Sequence, residues 1–170
     1  ELVRKLMHQV RAASGVSGAK SPKLYMLHGP MTRDEMRDLY KSPKLCAYAS
    51  ATRGEGFGLP LLEAAVAGLP IVATGWSAHT EFLSGDSFLD AKYDLTTIPT
   101  SRVDGKIFAP DAMWANPREG NFCRKLKTVV CDNKKFREAA CELSDKLCAS
   151  HNIRSLQRRF NEIITEYVER

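Results

Sequence analysis

No run of apolar residues in this sequence reaches the roughly eighteen that a membrane-crossing helix needs, so no transmembrane segment is expected. The opening residues Glu1 to Val10 have neither the apolar stretch nor the small-residue cleavage site of a secretory leader. The five cysteines, Cys46, Cys123, Cys131, Cys141 and Cys148, are odd in number and include no Cys-x-x-Cys pair, which argues against a disulfide framework and against a zinc site. Reduced thiols and a cytoplasmic location are the expectation. Internal repeats and low-complexity tracts are absent, and no aromatic residues interleave with the basic ones as a stacking platform for nucleic acid would require. No nucleic-acid partner is expected.

What remains is a chain of 170 residues, 44% hydrophobic and 26% charged, enough to bury one core and read as a single domain. Basic residues exceed acidic ones by 25 to 20, and the excess gathers at Arg118, Arg124, Lys125, Lys127, Lys134, Lys135 and Arg137. A solvated helix face accounts for such a cluster. Attraction to phosphates, or peripheral contact with an anionic membrane surface, is the other reading.

Helical spacing of Leu2, Leu6, Met7 and Val10 predicts an amphipathic helix over 1–13, ended by Gly15 and Gly18. Leu24 to His28 reads as a strand stopped by Gly29-Pro30, and Thr32 opens a capping-box pattern for a second helix. Further strands are expected at Leu45 to Ala49 and Leu69 to Ala73, on either side of a helix from Leu59 or Pro60 to Gly68. This alternation is the rhythm of an α/β fold, a Rossmann-like parallel sheet with flanking helices. From Ser84 to Pro117 the periodicity fails, leaving short strand candidates at Phe88 to Leu89 and Lys106 to Phe108; helical patterns resume over 118–131, 134–149 and 153–168.

The block Gly54-Glu55-Gly56-Phe57-Gly58-Leu59-Pro60 carries the chemistry. Glycines at a strand end let backbone approach a ligand, and Pro60 suits the first helical position, where its missing amide costs nothing. Amides near Phe57, Gly58 and Leu59, with the positive end of the helix dipole, make an anion site suited to a diphosphate. Glu55 and Glu63 flank that junction, and a carboxylate accepts well from two adjacent hydroxyls. Diphosphate between two polyhydroxylated rings describes a nucleotide-sugar.

Glu55-x7-Glu63, followed by Ala64-Ala65-x-Ala67-Gly68-x-Pro70-Ile71-Val72-Ala73, resembles the signature of family-4 retaining glycosyltransferases of GT-B architecture. His28-Gly29, the helix from Arg33 to Tyr40 and Trp114-Ala115-Asn116-Pro117 extend the likeness. The resemblance implies the carboxyl-terminal, donor-binding domain of such an enzyme. Glu55 would be the catalytic-site contact to hydroxyls of the transferred sugar. Gly56, Phe57, Gly58 and Leu59 would present backbone to sugar and phosphate, and Glu63 would hold the ribose diol. Gly29 and Pro30 would lie at the nucleobase, with Arg33 a candidate for base or phosphate. It further implies transfer with retention and without metal or other cofactor, from a nucleoside diphosphate sugar to a glycan, lipid or small-molecule acceptor. The same comparison implies that the chain is a fragment, lacking the first two strands of its domain and needing an upstream acceptor-binding domain of the same protein.

Other readings stand beside these. A dinucleotide fingerprint would close on Gly or Ala where Leu59 stands, and would be followed by an acidic residue where Thr74-Gly75-Trp76 stand. A binding module without catalysis, regulating an assembly through the same loop, is the alternative function. His28, His79 and His151 read as structural or surface histidines, with His79 the one placed to line a site; Trp114 reads as core, and Trp76 as open to stacking.

Overall fold

The computed structural model describes residues 2–15 and 23–168, so the helix stop expected at Gly18 lies outside the described residues. The chain divides into two compact units, Glu1–Met31 and Thr32–Arg170.

The first unit holds helix α1, Leu2–Ala13, followed by Gly15 in the left-handed region at φ 64°. The strand expected at Leu24 to His28 is not formed: the segment is irregular, and Leu24, Tyr25, Met26 and Leu27 are exposed. Apolar sequence alone does not make a strand, because the ladder needs a partner for its amides and carbonyls.

The second unit opens with α2, Arg33–Tyr40, whose capping box is complete: Thr32 Oγ1 accepts from the Glu35 amide at 3.2 Å, and Glu35 Oε2 accepts from the Thr32 amide at 2.7 Å. The Thr32 amide and, at 2.9 Å, the Thr32 hydroxyl both donate to the Glu35 carboxylate and hold it below its ordinary range. Then come β1, Tyr48–Ser50, α3, Leu59–Val66, and β2, Ile71–Thr74. Both strands begin later in the chain than their apolar runs suggest. Leu45 donates its amide to Ser42 in a turn, and Leu69 donates to Ala64 as α3 closes, so neither amide is free for a ladder. After β2 a short 3-10 turn, Ala78–Glu81, leads to β3, Phe88–Ala91.

The three strands form a parallel sheet in the order β1-β2-β3, with Tyr48 opposite Ile71 and Ile71 opposite Phe88. This α/β arrangement, flanked by helices, is Rossmann-like. The central strand is buried throughout and serves two cores. Ile71 and Ala73 pack with Leu61, Ala64 and Ala65 of α3 and with Leu143 and Leu147, whereas Val72 packs with Leu89, Val129 and Phe136 on the opposite face. Alternation along a pleated strand sends successive side chains to opposite faces, and here both faces are covered.

The segment after β3 is more regular than its sequence suggests. Tyr93–Thr97 (β4) and Met113–Pro117 (β5) pair antiparallel, with Leu95 opposite Ala115. Lys106 to Phe108 is not a strand, correcting that expectation. Their three amides donate to Asp104 Oδ1 at 2.9, 2.9 and 3.0 Å, so a turn takes the donors a ladder would use and holds the Asp104 carboxyl below its ordinary range. The closing helices α4, Glu119–Cys131, α5, Asn133–Ser150, and α6, Ile153–Val168, fall where the apolar periodicity puts them. None of the described helices is long and apolar enough to cross a membrane.

Helix α5 is fastened to backbone as well as to core. Ser144 Oγ donates to the Val66 carbonyl at 2.6 Å, and Asn133 Nδ2 to the Cys46 carbonyl at 2.8 Å. Arg137 donates through Nη1 to the Gly68 carbonyl at 3.3 Å and through Nη2 to the Leu45 carbonyl. The basic cluster is therefore partly structural. Arg118 pairs with Asp94 at 2.5 Å, Lys125 with Asp90 at 3.4 Å, and Arg137 is half-buried.

Candidate functional site

Strand β1 ends at Ser50 and α3 begins at Leu59, so the glycine-rich loop leaves the carboxyl edge of the parallel sheet and enters a helix. Gly58 is the N-cap, left-handed at φ 88° and ψ 47°, a conformation that a side chain resists. Since glycine has no side chain, no cap bond fills the first turn of α3. The contrast with α2 is direct: its entrance is satisfied by Thr32 and Glu35, whereas the amides of Phe57, Gly58 and Leu59 meet no acceptor among the described residues. Pro60 is the second helical residue, one later than its sequence placement, and still removes a donor that would have no partner. An uncapped helix start of this kind favours an anion.

The loop is open on one side and fastened on the other. A β-carbon built on Gly54 or Gly56 would meet nothing within 4 Å, so the backbone there is bare. Beneath, the fastening comes from the end of β2. Thr74, wholly buried, donates its hydroxyl to the Thr52 carbonyl at 2.5 Å, and Ser77 Oγ accepts from the Glu55 amide at 2.8 Å while donating to the Glu55 carbonyl at 2.7 Å. Laterally, the Ala115 amide donates to the Arg53 carbonyl at 3.1 Å, and the Arg53 guanidinium lies 4.5 Å from the centre of the Trp114 ring. Phe57, exposed at its outer edge, leans on buried Phe82 with ring centres 5.4 Å apart.

Ser77 occupies φ 89° and ψ −175°, a region that is almost glycine's alone and costs a residue with a side chain on the order of 1–3 kcal/mol. Such a conformation persists where its surroundings over-determine it, and the paired bonds to Glu55 do so here.

Both carboxylates of the motif act on one phenol. Burial pushes the Tyr48 hydroxyl above its ordinary range, and the negative charges of Glu55 and then Glu63 raise it further. Tyr40 is likewise raised, by burial first and then by Tyr48 and Glu63. Glu55 is half-buried and Glu63 exposed; the latter sits four residues into α3, about 6 Å along the axis from Leu59. Glu55, Gly56, Phe57, Gly58, Leu59 and Glu63 thus form one continuous loop-helix junction. Arg33 is exposed at the first position of α2. Gly29, at φ 125°, and Pro30 are exposed and belong to the first unit.

Of the histidines, His79 is wholly buried, its Nε2 2.7 Å from the Thr74 carbonyl, while its Nδ1 has no partner. It supports the loop from below rather than facing out. His28 is exposed, and His151 lies against Ser150 and Phe82. Trp76 is partly exposed against Tyr93, and Trp114 is half-buried between Arg53 and Phe108. Thr74 and Ser77 escaped the sequence reading because no periodicity marks a hydroxyl; their place at and just past the carboxyl end of a strand was the available signal.

The family model described as glycosyl transferases group 1 matches residues 7–96, more than half of the chain and all of the junction. No curated protein and no solved structure matches. A helix entrance left open at the carboxyl edge of a parallel sheet, with two carboxylates beside it, lies within the matched stretch, and the chain belongs to the group 1 glycosyl transferases.

Proposed function

We propose that the chain is the donor-binding part of a retaining glycosyltransferase of family 4, taking a nucleoside diphosphate sugar. The observation that carries this is the uncapped start of α3 with Glu55 fastened on one side and Glu63 in its early turns on the other. A diphosphate at the amides of Phe57, Gly58 and Leu59 would place one ring toward each carboxylate. Glu55 would accept from hydroxyls of the transferred sugar, and Glu63 from the ribose diol. The base-contact roles of Gly29, Pro30 and Arg33 rest on sequence resemblance alone.

In the reaction proposed, the bond from the anomeric carbon to the diphosphate oxygen breaks and the acceptor oxygen bonds to that carbon on the same face. The acceptor's proton passes to the departing diphosphate. This chain's contribution is orientation of the sugar and stabilisation of charge on the leaving group, terms that need no metal and no nucleophilic side chain. The acceptor, a glycan, lipid or small molecule, would be held by an upstream domain, and the reaction would take place in the cytoplasm, in solution or at a membrane surface.

Calorimetry separates the two carboxylates. Glu55→Ala should weaken a nucleoside diphosphate hexose by roughly 10- to 100-fold and leave the nucleoside diphosphate unchanged, since losing a charged acceptor is worth about 1.5–3 kcal/mol. Glu63→Ala should weaken both alike. Unaltered affinities in both variants would remove these roles; equal weakening by both, with no hexose preference in the parent chain, would favour a nucleotide-binding module without transfer.

A further inference from the structure

We infer that Ser77 is a positioning residue for the donor loop, its hydroxyl locking the peptide groups of Glu55 so that the carboxylate is presented to the sugar. This deepens the proposed function and rests on its assignment of Glu55 to the transferred sugar. The two residues are 22 apart in sequence and leave adjacent strands, Glu55 after β1 and Ser77 after β2. One hydroxyl serves both backbone groups of Glu55, accepting from its amide at 2.8 Å and donating to its carbonyl at 2.7 Å. Fixing both fixes the backbone from which the carboxylate projects.

The conformation of Ser77 gives the independent argument. At φ 89° and ψ −175° glycine would be the unstrained choice, yet a serine stands there with its hydroxyl both accepting from and donating to Glu55. The neighbouring parts of the loop are held by other groups, Thr52 by Thr74 and Arg53 by Ala115, so loss of the Ser77 hydroxyl should free Glu55 without releasing the loop as a whole. Ser77 touches no reacting atom in this scheme; it acts through Glu55.

Ser77→Gly and Ser77→Ala test the role, because both remove the hydroxyl and only glycine relieves the backbone. Melting temperature, amide hydrogen exchange at Glu55, and affinities for uridine and guanosine diphosphate hexoses against the matching nucleoside diphosphates would be measured on the full chain. Ser77→Gly should melt at or above the parent, exchange its Glu55 amide about tenfold faster, and lose roughly tenfold of any preference for hexose-bearing ligand. Ser77→Ala should show the same exchange and preference with a lower melting point. Unchanged exchange at Glu55 in Ser77→Gly overturns the inference, as does faster exchange with the parent's hexose preference intact. A parent chain with no hexose preference instead overturns the donor reading, while the exchange rate still reports whether Ser77 anchors the loop.

Discussion

Gly58 sits directly over His79, so close that a β-carbon on the glycine would lie 3.1 Å from the His79 β-carbon and 3.2 Å from Leu61 Cδ1. That contact brings the start of α3 down onto the turn after β2, and with φ at 88° it makes the position doubly intolerant of a side chain. Gly58→Ala should lower stability by at least the ~1–2 kcal/mol of a left-handed alanine. Gly56→Ala meets open space at an ordinary φ and should keep its stability while weakening sugar nucleotides, its methyl occupying bare loop. Thermal melts paired with calorimetry check both; a destabilised Gly56→Ala would show that the loop is packed there.

The shared neighbourhood of Glu55 and Glu63 can be read through Tyr48. Its phenol should titrate above the ordinary value of 10.0. Because the raised group keeps its proton more firmly in the folded chain, the associated stability is complete below the unfolded value and is lost as pH rises through the folded one. Glu55→Gln and Glu63→Gln should each lower the Tyr48 midpoint, with burial, the larger cause, keeping it above ordinary. Ring resonances followed against pH give the answer, and a midpoint indifferent to both substitutions would separate the carboxylates from Tyr48.

Arg137 joins the carbonyls of Leu45, just before β1, and Gly68, between α3 and β2. Arg137→Met keeps the stem and removes the donors, and should cost about 1.5–3 kcal/mol in chemical denaturation. Lysine should not rescue it fully, since a point charge cannot serve two divergent carbonyls as a planar fork does.

Asp94 on β4 and Arg118 just after β5 form a two-bond contact, Nε to Oδ2 at 2.9 Å and Nη2 to Oδ1 at 2.5 Å. The hydrogen bond and charge of Arg118 hold the Asp94 carboxyl below its ordinary value of 3.8. Its stabilisation is present above the unfolded value and is lost as pH falls through the depressed folded one. Asp94→Asn should therefore flatten the acid limb of the stability profile, and added salt should shrink the difference, both side chains being 56% exposed. Acid melts of the two chains that run parallel would show the pair to be inert.

Legibility followed the range of the interactions. The helices over 119–131, 133–150 and 153–168 were readable because helical bonds join near neighbours and periodicity reports an apolar face, which the first two turn to the core and the third leaves exposed. The capping box at Thr32 and the glycine at the α3 entrance were readable for the same reason. Strand limits were not: Leu45 and Leu69 look apolar enough, yet their amides serve a turn and a helix end. The β4-β5 pair was hidden because both strands are short and largely exposed, so no apolar run marks them, and Arg137 passed for one more solvated charge.

The sequence by itself determined the local chemistry of this protein: an α/β order, a bare glycine loop before a helix, and two glutamates eight residues apart along it. Only the tertiary structure decided that Leu24 to His28 does not become a strand, that Thr74, Ser77 and His79 form the floor of the loop, and that Tyr48 feels both carboxylates. The reason is physical. A ladder bond, a buried ring under a glycine or a hydroxyl shared by two peptide groups depends on which distant segment folding brings alongside, and composition and spacing carry no record of that meeting.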